Sequence, residues 1–311
     1  MYPKLSALLV VLSTFWLSSC GGNSPASTSH ELNDDGLNGI RAKVTTLYLV
    51  PLENASYQSV IGNSAMPFIN TLAKQNALAT QFFADAHPSL PNYFMLTTGQ
   101  TITNNDTFAG TVNADNLVRE LGGIGASWRV YAESLPAPGY LGGDAYPYIK
   151  HHNPFAYFSD DANQAQNLRP FSEFAADIAA DKMANYNFII PNNLHNAHDC
   201  PGGGSCSENT KLGAADNWLS ENLSALLASS TFQQHGLLII TFDEGQASDS
   251  ANGGGHIVTV LAGAMVKHGF RSTTVYQHQS ILRLTLELLN AENLPGAAAD
   301  AAPMDEFFVG H

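Results

Sequence analysis

The chain has 311 residues, 44% of them hydrophobic, enough to bury a substantial core as one large domain or two small ones. Lys and Arg number 13 against 27 Asp and Glu, a net charge of −14. That balance argues against a nucleic-acid partner held through phosphates, and it suits metal cations if some of the carboxylates converge.

Residues 1–20 read as an export signal. Lys4 supplies the positive start, and Leu5 to Trp16 is an apolar core too short to span a membrane. Leu17-Ser18-Ser19-Cys20-Gly21 resembles the bacterial lipobox, where cleavage leaves an N-terminal cysteine that receives lipid. The alternative is a simple secretory signal with an incidental cysteine. The lipobox implies an exported cell-envelope lipoprotein, held to a membrane by lipid on Cys20. Gly21 is not the Asp of an inner-membrane retention signal, so an outer-membrane or periplasm-facing position follows by analogy. Residues 21–41, rich in Ser, Asn, Asp and Gly, read as a flexible tether.

Ala42 to Pro51 is β-branched and apolar and predicts a strand, ending in Leu52-Glu53-Asn54. Met66 to Leu78 has helical spacing. His87-Pro88-Ser89-Leu90-Pro91-Asn92-Tyr93 predicts a tight turn, because proline disfavours helix just before itself, and then a helix to about Gly99. Ser89 at that helix start has two readings. It is an N-cap, the common job of serine, or it is a nucleophile facing unpaired N–H groups and the positive end of the helix dipole. Asn104 to Gly110 reads as loop, Ala114 to Leu121 as a short helix and Ser127 to Ala132 as a strand.

Pro136 to Pro154 is irregular and contains Lys150-His151-His152-Asn153-Pro154-Phe155. Phe171 to Met183 predicts a helix. Tyr186 to Ile190 predicts a strand ending in Pro191-Asn192-Asn193-Leu194-His195-Asn196-Ala197-His198-Asp199. Cys200 and Cys206 follow; in an exported protein they predict a short-loop disulfide, since their spacing is unlike a zinc knuckle. Ala214 to Ala228 is an amphipathic helix. Leu237 to Phe242 is a fully buried type of strand ending in Asp243-Glu244-Gly245. Three glycines and His256 lead into a strand from Ile257 to Ala262, and Gln277 to Asn290 predicts a last helix. The Ala-rich tail from Pro295 reads as weakly ordered.

Strands alternate with helices throughout, which predicts an α/β fold with a doubly wound, mostly parallel sheet and helices on both faces. Its strand ends share one edge. Glu53-Asn54, Asp243-Glu244, the His195, His198 and Asp199 cluster and His256 therefore converge, though each alone reads as a solvated turn. A hydroxyl at a helix N-terminus, carboxylates for a hard cation and several imidazoles fit phosphoryl transfer through a covalent phosphoserine.

Together these segments resemble the bacterial phosphoesterase family that holds acid phosphatases and phospholipase C enzymes, within the alkaline phosphatase superfamily. The resemblance rests on Leu52-Glu53-Asn54, the Ser89 motif, the Lys150 to Phe155 motif, and Trp218-Leu219 running to Thr241-Phe242-Asp243-Glu244-Gly245. Gly255-His256 and Tyr276-Gln277-His278-Gln279-Ser280 also fit. It implies Ser89 as nucleophile and one divalent metal held by Glu53, Asn54, Asp243 and Glu244, with Ser89 as a further ligand. It implies phosphate binding by Asn92, His152 and His198, with His151, His195, Asp199 and His256 as additional candidates. Related nucleotide phosphodiesterases have Asp-His-Gly where this chain has Asp243-Glu244-Gly245, which puts a second metal in doubt. Tyr93 stands where sulfatases carry the arginine needed to make formylglycine, so Ser89 stays a serine. The organisation expected is a catalytic domain over 42–294 and a tail over 295–311. The activity expected is phosphomonoester hydrolysis on a small phosphate ester. Phospholipase C-type diester hydrolysis is the runner-up, and a non-catalytic anion-binding envelope lipoprotein is the reading from another class.

Overall fold

Strand β1 (Thr46–Leu52) has all seven residues buried. A strand exposes alternate residues to opposite faces, so burial at every position means both faces of the sheet are covered there. The computed structural model describes residues 1, 39–160 and 165–310. The export signal, Cys20 and nearly all of the tether lie outside the described residues. Asp35–His311 forms one compact unit. Among the described residues no helix is long and apolar enough to cross a membrane.

The remaining strands are β2 (Ala77–Phe83), β3 (Trp128–Ala132), β4 (Leu168–Pro170), β5 (Tyr186–Ile190), β6 (Gly236–Phe242), β7 (His256–Gly263) and β8 (Arg271–Ser272). They form one eight-stranded sheet in the order β4-β3-β5-β1-β6-β7-β2-β8. Pairing is parallel except where β7 lies against β6 and β2. The segment between β6 and β7 is short and glycine-rich, with no helix to carry the chain to the far end, so β7 must run back. The mostly parallel, doubly wound α/β architecture is therefore as expected, with one reversed strand.

Two groups of helices pack within themselves. Pro67–Gln75 lies on Glu208–Ala228, and Ser89–Thr98 and Leu117–Gly123 lie on His278–Leu288. Buried Asp216 accepts from Phe68 N and Ile69 N at 2.8 and 2.9 Å and so caps the first helix from the second.

Several elements depart from expectation, among them the helix foreseen over Phe171 to Met183, whose α-helical part is Phe174–Ala179 behind a 3-10 turn at Phe171–Glu173. The helix foreseen to Leu78 stops at Gln75, and β2 follows at once; pairing with β7 and β8 overrides local preference in this Ala-containing run. The helix expected from Ala214 starts six residues earlier, at Glu208, behind a Ser207 cap on Thr210 N. The tail from Pro295 is packed rather than loose. Met304, Phe307 and Phe308 are fully buried, and Phe307 O and Met265 O accept from Lys267 N and Val309 N at 2.8 Å each. Three large apolar side chains outweigh the alanine-rich composition that suggested disorder. Cys200 and Cys206 form a disulfide.

Candidate functional site

The register of β1 against β6 sets the site. Leu52 pairs with Phe242, so Glu53-Asn54 and Asp243-Glu244 leave neighbouring parallel strands side by side. Asp243 N donates to Leu52 O at 2.8 Å and Asn54 N to Asp243 Oδ1 at 3.1 Å. β2 ends at the same edge, where Phe83 pairs with His256, and leads through Ala84–Pro88 to Ser89. Ser89 is the first residue of a helix buried at all ten positions. It is not the N-cap: Pro88 holds that position and offers no side-chain cap. The Ser89 hydroxyl instead meets Glu53 Oε2 at 3.1 Å and Glu244 Oε1 at 3.3 Å.

Three carboxylates thus surround one hydroxyl, all nearly inaccessible to water. Burial, then the charge of Asp243, holds Glu53 well above the usual carboxylate range, against hydrogen bonds from Tyr93 and Ser89. Burial and the neighbouring Glu244 push Asp243 up to about 8. Burial pushes Glu244 up to about 7, opposed by the Ser89 hydrogen bond and helped by the charge of Asp106. Asn54 Oδ1 and Asp243 Oδ2 are buried oxygens with no donor.

This is the chemistry of a hard divalent cation site: five oxygen donors, uncompensated negative charge, and acceptor atoms with nothing to accept from. Among the described residues no group of three or more His, Cys, Asp or Glu side chains stands in a ready-made metal cage. Glu53 gives Oε1 to the Tyr93 hydroxyl and lies 3.2 Å from His152 Nε2. The donor set fits such an ion once Glu53 turns one oxygen from these partners.

The imidazoles divide into two sets. His152, fully buried, stacks on Tyr93 with ring centroids 5.3 Å apart, and its neighbours are His151 at 4.5 Å and His198 at 6.3 Å. Burial, then the charges of His151 and His198, holds His152 well below the usual imidazole range. Burial also lowers His151, against the pull of Asp106 and Asp144. His198 Nδ1 meets Asp199 Oδ1 at 2.7 Å, and Asn193 donates to Asp199 Oδ2, so Asp199 orients His198. The other set is turned away. His195 Nδ1 pairs with Glu133 at 2.9 Å, and the two line a separate cavity of about 400 Å³ with Phe171 and Trp218. His256 is stacked between Tyr57 and Phe83, at 4.5 and 4.9 Å, with Nε2 on Thr80 O. Asn92 is engaged elsewhere: Oδ1 accepts from Asp85 N and Ala86 N, and Nδ2 donates to Ala86 O and Pro88 O. It braces the turn, and its hydrogen-bonding capacity is taken up there.

Four residues belong to the site beyond those singled out by sequence. Tyr93 lies one helical turn after Ser89, a spacing that puts both on one face. His87 Nε2 donates to Asp249 O at 2.8 Å, so Nδ1 faces Glu244 Oε2 across a contact that one shared proton satisfies. Asn196 O accepts from Glu53 N at 2.8 Å and ties the histidine loop to the end of β1. Asp106 Oδ1 accepts from Leu90 N at 2.9 Å and sits beside the helix start. A lone Asp in a polar loop carries no signal of that. Asn54 and Ala197 have φ of 39° and 80°, the left-handed region that a non-glycine residue adopts at a cost.

Solved structures with this fold include a protein of the alkaline phosphatase superfamily from Vibrio parahaemolyticus. It has TM-score 0.57 and 13% identity over 84% of this chain and 76% of that one. A sulfatase from Pseudoalteromonas sp. has TM-score 0.58 and 13% identity over 83% and 71%. At such identity they show the shared fold alone. Among curated proteins, the phosphatidylinositol-3-phosphatase of Mycobacterium tuberculosis is 34% identical over 263 residues, 84% of this chain and 81% of that protein. The phosphate-repressible acid phosphatase of Penicillium chrysogenum is 31% identical over 69% of this chain, which spans about half (52%) of that relative's length. The Phosphoesterase family profile matches residues 52–290, from the end of β1 through the last long helix, and the chain belongs to that family.

Proposed function

We propose that this chain hydrolyses phosphoric monoesters through a covalent phosphoserine on Ser89, with one divalent cation held by Glu53, Asn54, Asp243 and Glu244 together with Ser89. Membership of the Phosphoesterase family supports phosphoester hydrolysis. One observation carries the finer reading: the Ser89 hydroxyl stands between Glu53 and Glu244, at 3.1 and 3.3 Å, at the head of a buried helix. The cation would lower the pKa of the hydroxyl and offset charge on the phosphoryl oxygens.

The residues do the rest. Ser89 Oγ bonds to phosphorus as the ester oxygen departs, and its proton passes to the adjoining carboxylates. His152 and His151 face the non-bridging oxygens from the buried side. His198 is held at Nδ1 by Asp199, which leaves Nε2 to hand a proton to the departing alkoxide. Water then attacks phosphorus and gives its proton to His198 Nε2, and Ser89 Oγ leaves with a proton returned from the carboxylates. The relatives above are named phosphatases, which favours monoesters over the phospholipase C type.

Release of phosphate from p-nitrophenyl phosphate before and after chelation, with metal analysis, tests the cation. Acid-quenched enzyme should carry phosphate on Ser89, and Ser89→Ala should lose activity by at least about a thousandfold. Activity that survives in Ser89→Ala would sink the mechanism. Lipidation at Cys20 and placement in the cell envelope remain part of this proposal on sequence grounds, and mass spectrometry of the N-terminal peptide tests them.

A further inference from the structure

No step above uses Asp85, four residues before Ser89. Its side chain is only 7% exposed, and among the described residues it pairs with no Lys or Arg. It lies against the start of the helix His278–Leu288, whose N-cap residue Gln277 provides no side-chain cap. Asp85 Oδ2 accepts from His278 N at 3.3 Å and faces His278 Nδ1 at 3.5 Å. The Gln279 amide, turned with its nitrogen to the carboxyl, donates to Oδ1 at 2.8 Å and Oδ2 at 3.2 Å. The His278 ring is fully buried against Phe82, and neither ring nitrogen has a hydrogen-bond partner.

The backbone of the same segment is gripped from two more sides. Asn92 Oδ1 takes Asp85 N and Ala86 N at 3.0 and 3.1 Å. Gly253, at φ +111°, lies so close that a Cβ there would stand 2.1 Å from Asp85 O, and one at Gly254 would stand 2.4 Å from Ala86 O. Gln277 Nε2 reaches both Ala84 O and Asn252 O, at 3.4 and 3.1 Å. The segment Ala84–His87 is therefore wedged between the loop that follows Glu244 and the last long helix. The Asp85 side chain joins that segment to the helix, through His278 N and Gln279.

We propose that Asp85 is a positioning residue for the nucleophile: its carboxyl docks the turn onto the His278–Leu288 helix and so sets where Ser89 Oγ stands between Glu53 and Glu244. A buried carboxyl with no cation is an expensive way to cap a helix, and Ser or Asn would do it at lower cost. Burial pushes Asp85 up to about 7 and His278 down to about 3, so His278 is a neutral partner, not a counter-ion. What the Asp85 side chain adds over a serine cap is reach and a second polar atom, so that it holds Gln279 as well as the helix N-terminus. Displacing a nucleophile by about 1 Å costs on the order of a hundredfold in rate without loosening substrate binding.

The test is steady-state kinetics of the full chain on p-nitrophenyl phosphate with divalent cation present. Asp85→Ala should lower kcat at least about tenfold while KM stays within about threefold. Asp85→Asn should restore kcat to within about threefold of the parent, because its oxygen still accepts from His278 N and Gln279 can turn its amide to accept from the new NH₂. A folded Asp85→Ala with kcat unchanged, one with a raised KM and normal kcat, or an Asp85→Asn as impaired as Asp85→Ala would each overturn the proposal. Should Asp85→Ala fail to fold, Gln279→Ala decides. A kcat at least about threefold lower at constant KM supports the positioning role, and an unchanged kcat refutes it. The proposal rests on Ser89 as nucleophile, and the two failures are separable. An active Ser89→Ala defeats that reading, whereas a silent Asp85→Ala beside an inactive Ser89→Ala defeats only the positioning role.

Discussion

Replacing Tyr93 by Phe removes one oxygen from the middle of the site and little else. The Tyr93 hydroxyl donates to Glu53 Oε1, and the ring's stacking on His152 survives in phenylalanine. That hydrogen bond favours ionised Glu53, opposing the burial and the like charges that raise its pKa. A hydrogen bond to a charged group contributes about 1.5–3 kcal/mol, and one pKa unit is about 1.4 kcal/mol. Glu53 in Tyr93→Phe should therefore titrate higher than in the parent. The sign follows: a carboxylate needed in its ionised form is lost earlier as pH falls. The acid limb of kcat/KM should thus move to higher pH, with activity above the limb within about threefold of the parent. The assay is the pH–rate profile on p-nitrophenyl phosphate at limiting divalent cation, where protons and the cation compete for Glu53. A folded Tyr93→Phe whose acid limb stays in place, or moves to lower pH, would refute the electrostatic account of Glu53.

The raised carboxylates make a stability prediction for the chelated protein. The native state binds more protons than the unfolded one between the unfolded carboxylate value, about 4, and the folded values of Glu244 and Asp243, about 7 and about 8, so Tm should fall as pH rises across that window. Divalent cation should reverse the trend at the upper end, and a Tm indifferent to the cation there would argue against the site. His198→Ala should lower kcat/KM by about a hundredfold, while His195→Ala, which loses only its pairing with Glu133, should stay within about threefold; equal losses would mean the two histidine sets are wrongly divided. Asn92→Leu should destabilise the fold by about 2–4 kcal/mol in a denaturant titration, because Asp85 N and Ala86 N would be buried without an acceptor.

Much of the site was legible because parallel strands put distant residues at one edge. A carboxylate and an amide after β1, and two carboxylates after β6, need only register to meet, and the pairing of Leu52 with Phe242 supplies it. What sequence could not give is the direction of side chains. His195 and His256 fall within the right loops, yet one turns to Glu133 and the other between two aromatic rings. Asn92 has a residue type suited to a phosphoryl oxygen, but two buried N–H groups of its own turn claim it first. β2 was hidden because Ala77 and Leu78 continue a helical pattern, and only pairing with β7 and β8 makes that run a strand.

The site draws on two kinds of backbone. Ser89, Glu53-Asn54 and Asp243-Glu244 stand at the ends of a fully buried helix and two fully buried strands. The histidines come from irregular segments whose neighbours, over 136–147 and 201–206, are largely exposed. A substitution near the first set disturbs close packing, whereas one in the second meets mostly water. Selection for a new ester should therefore accumulate its changes in those two loops, with the hydrolytic machinery inherited unaltered beneath them.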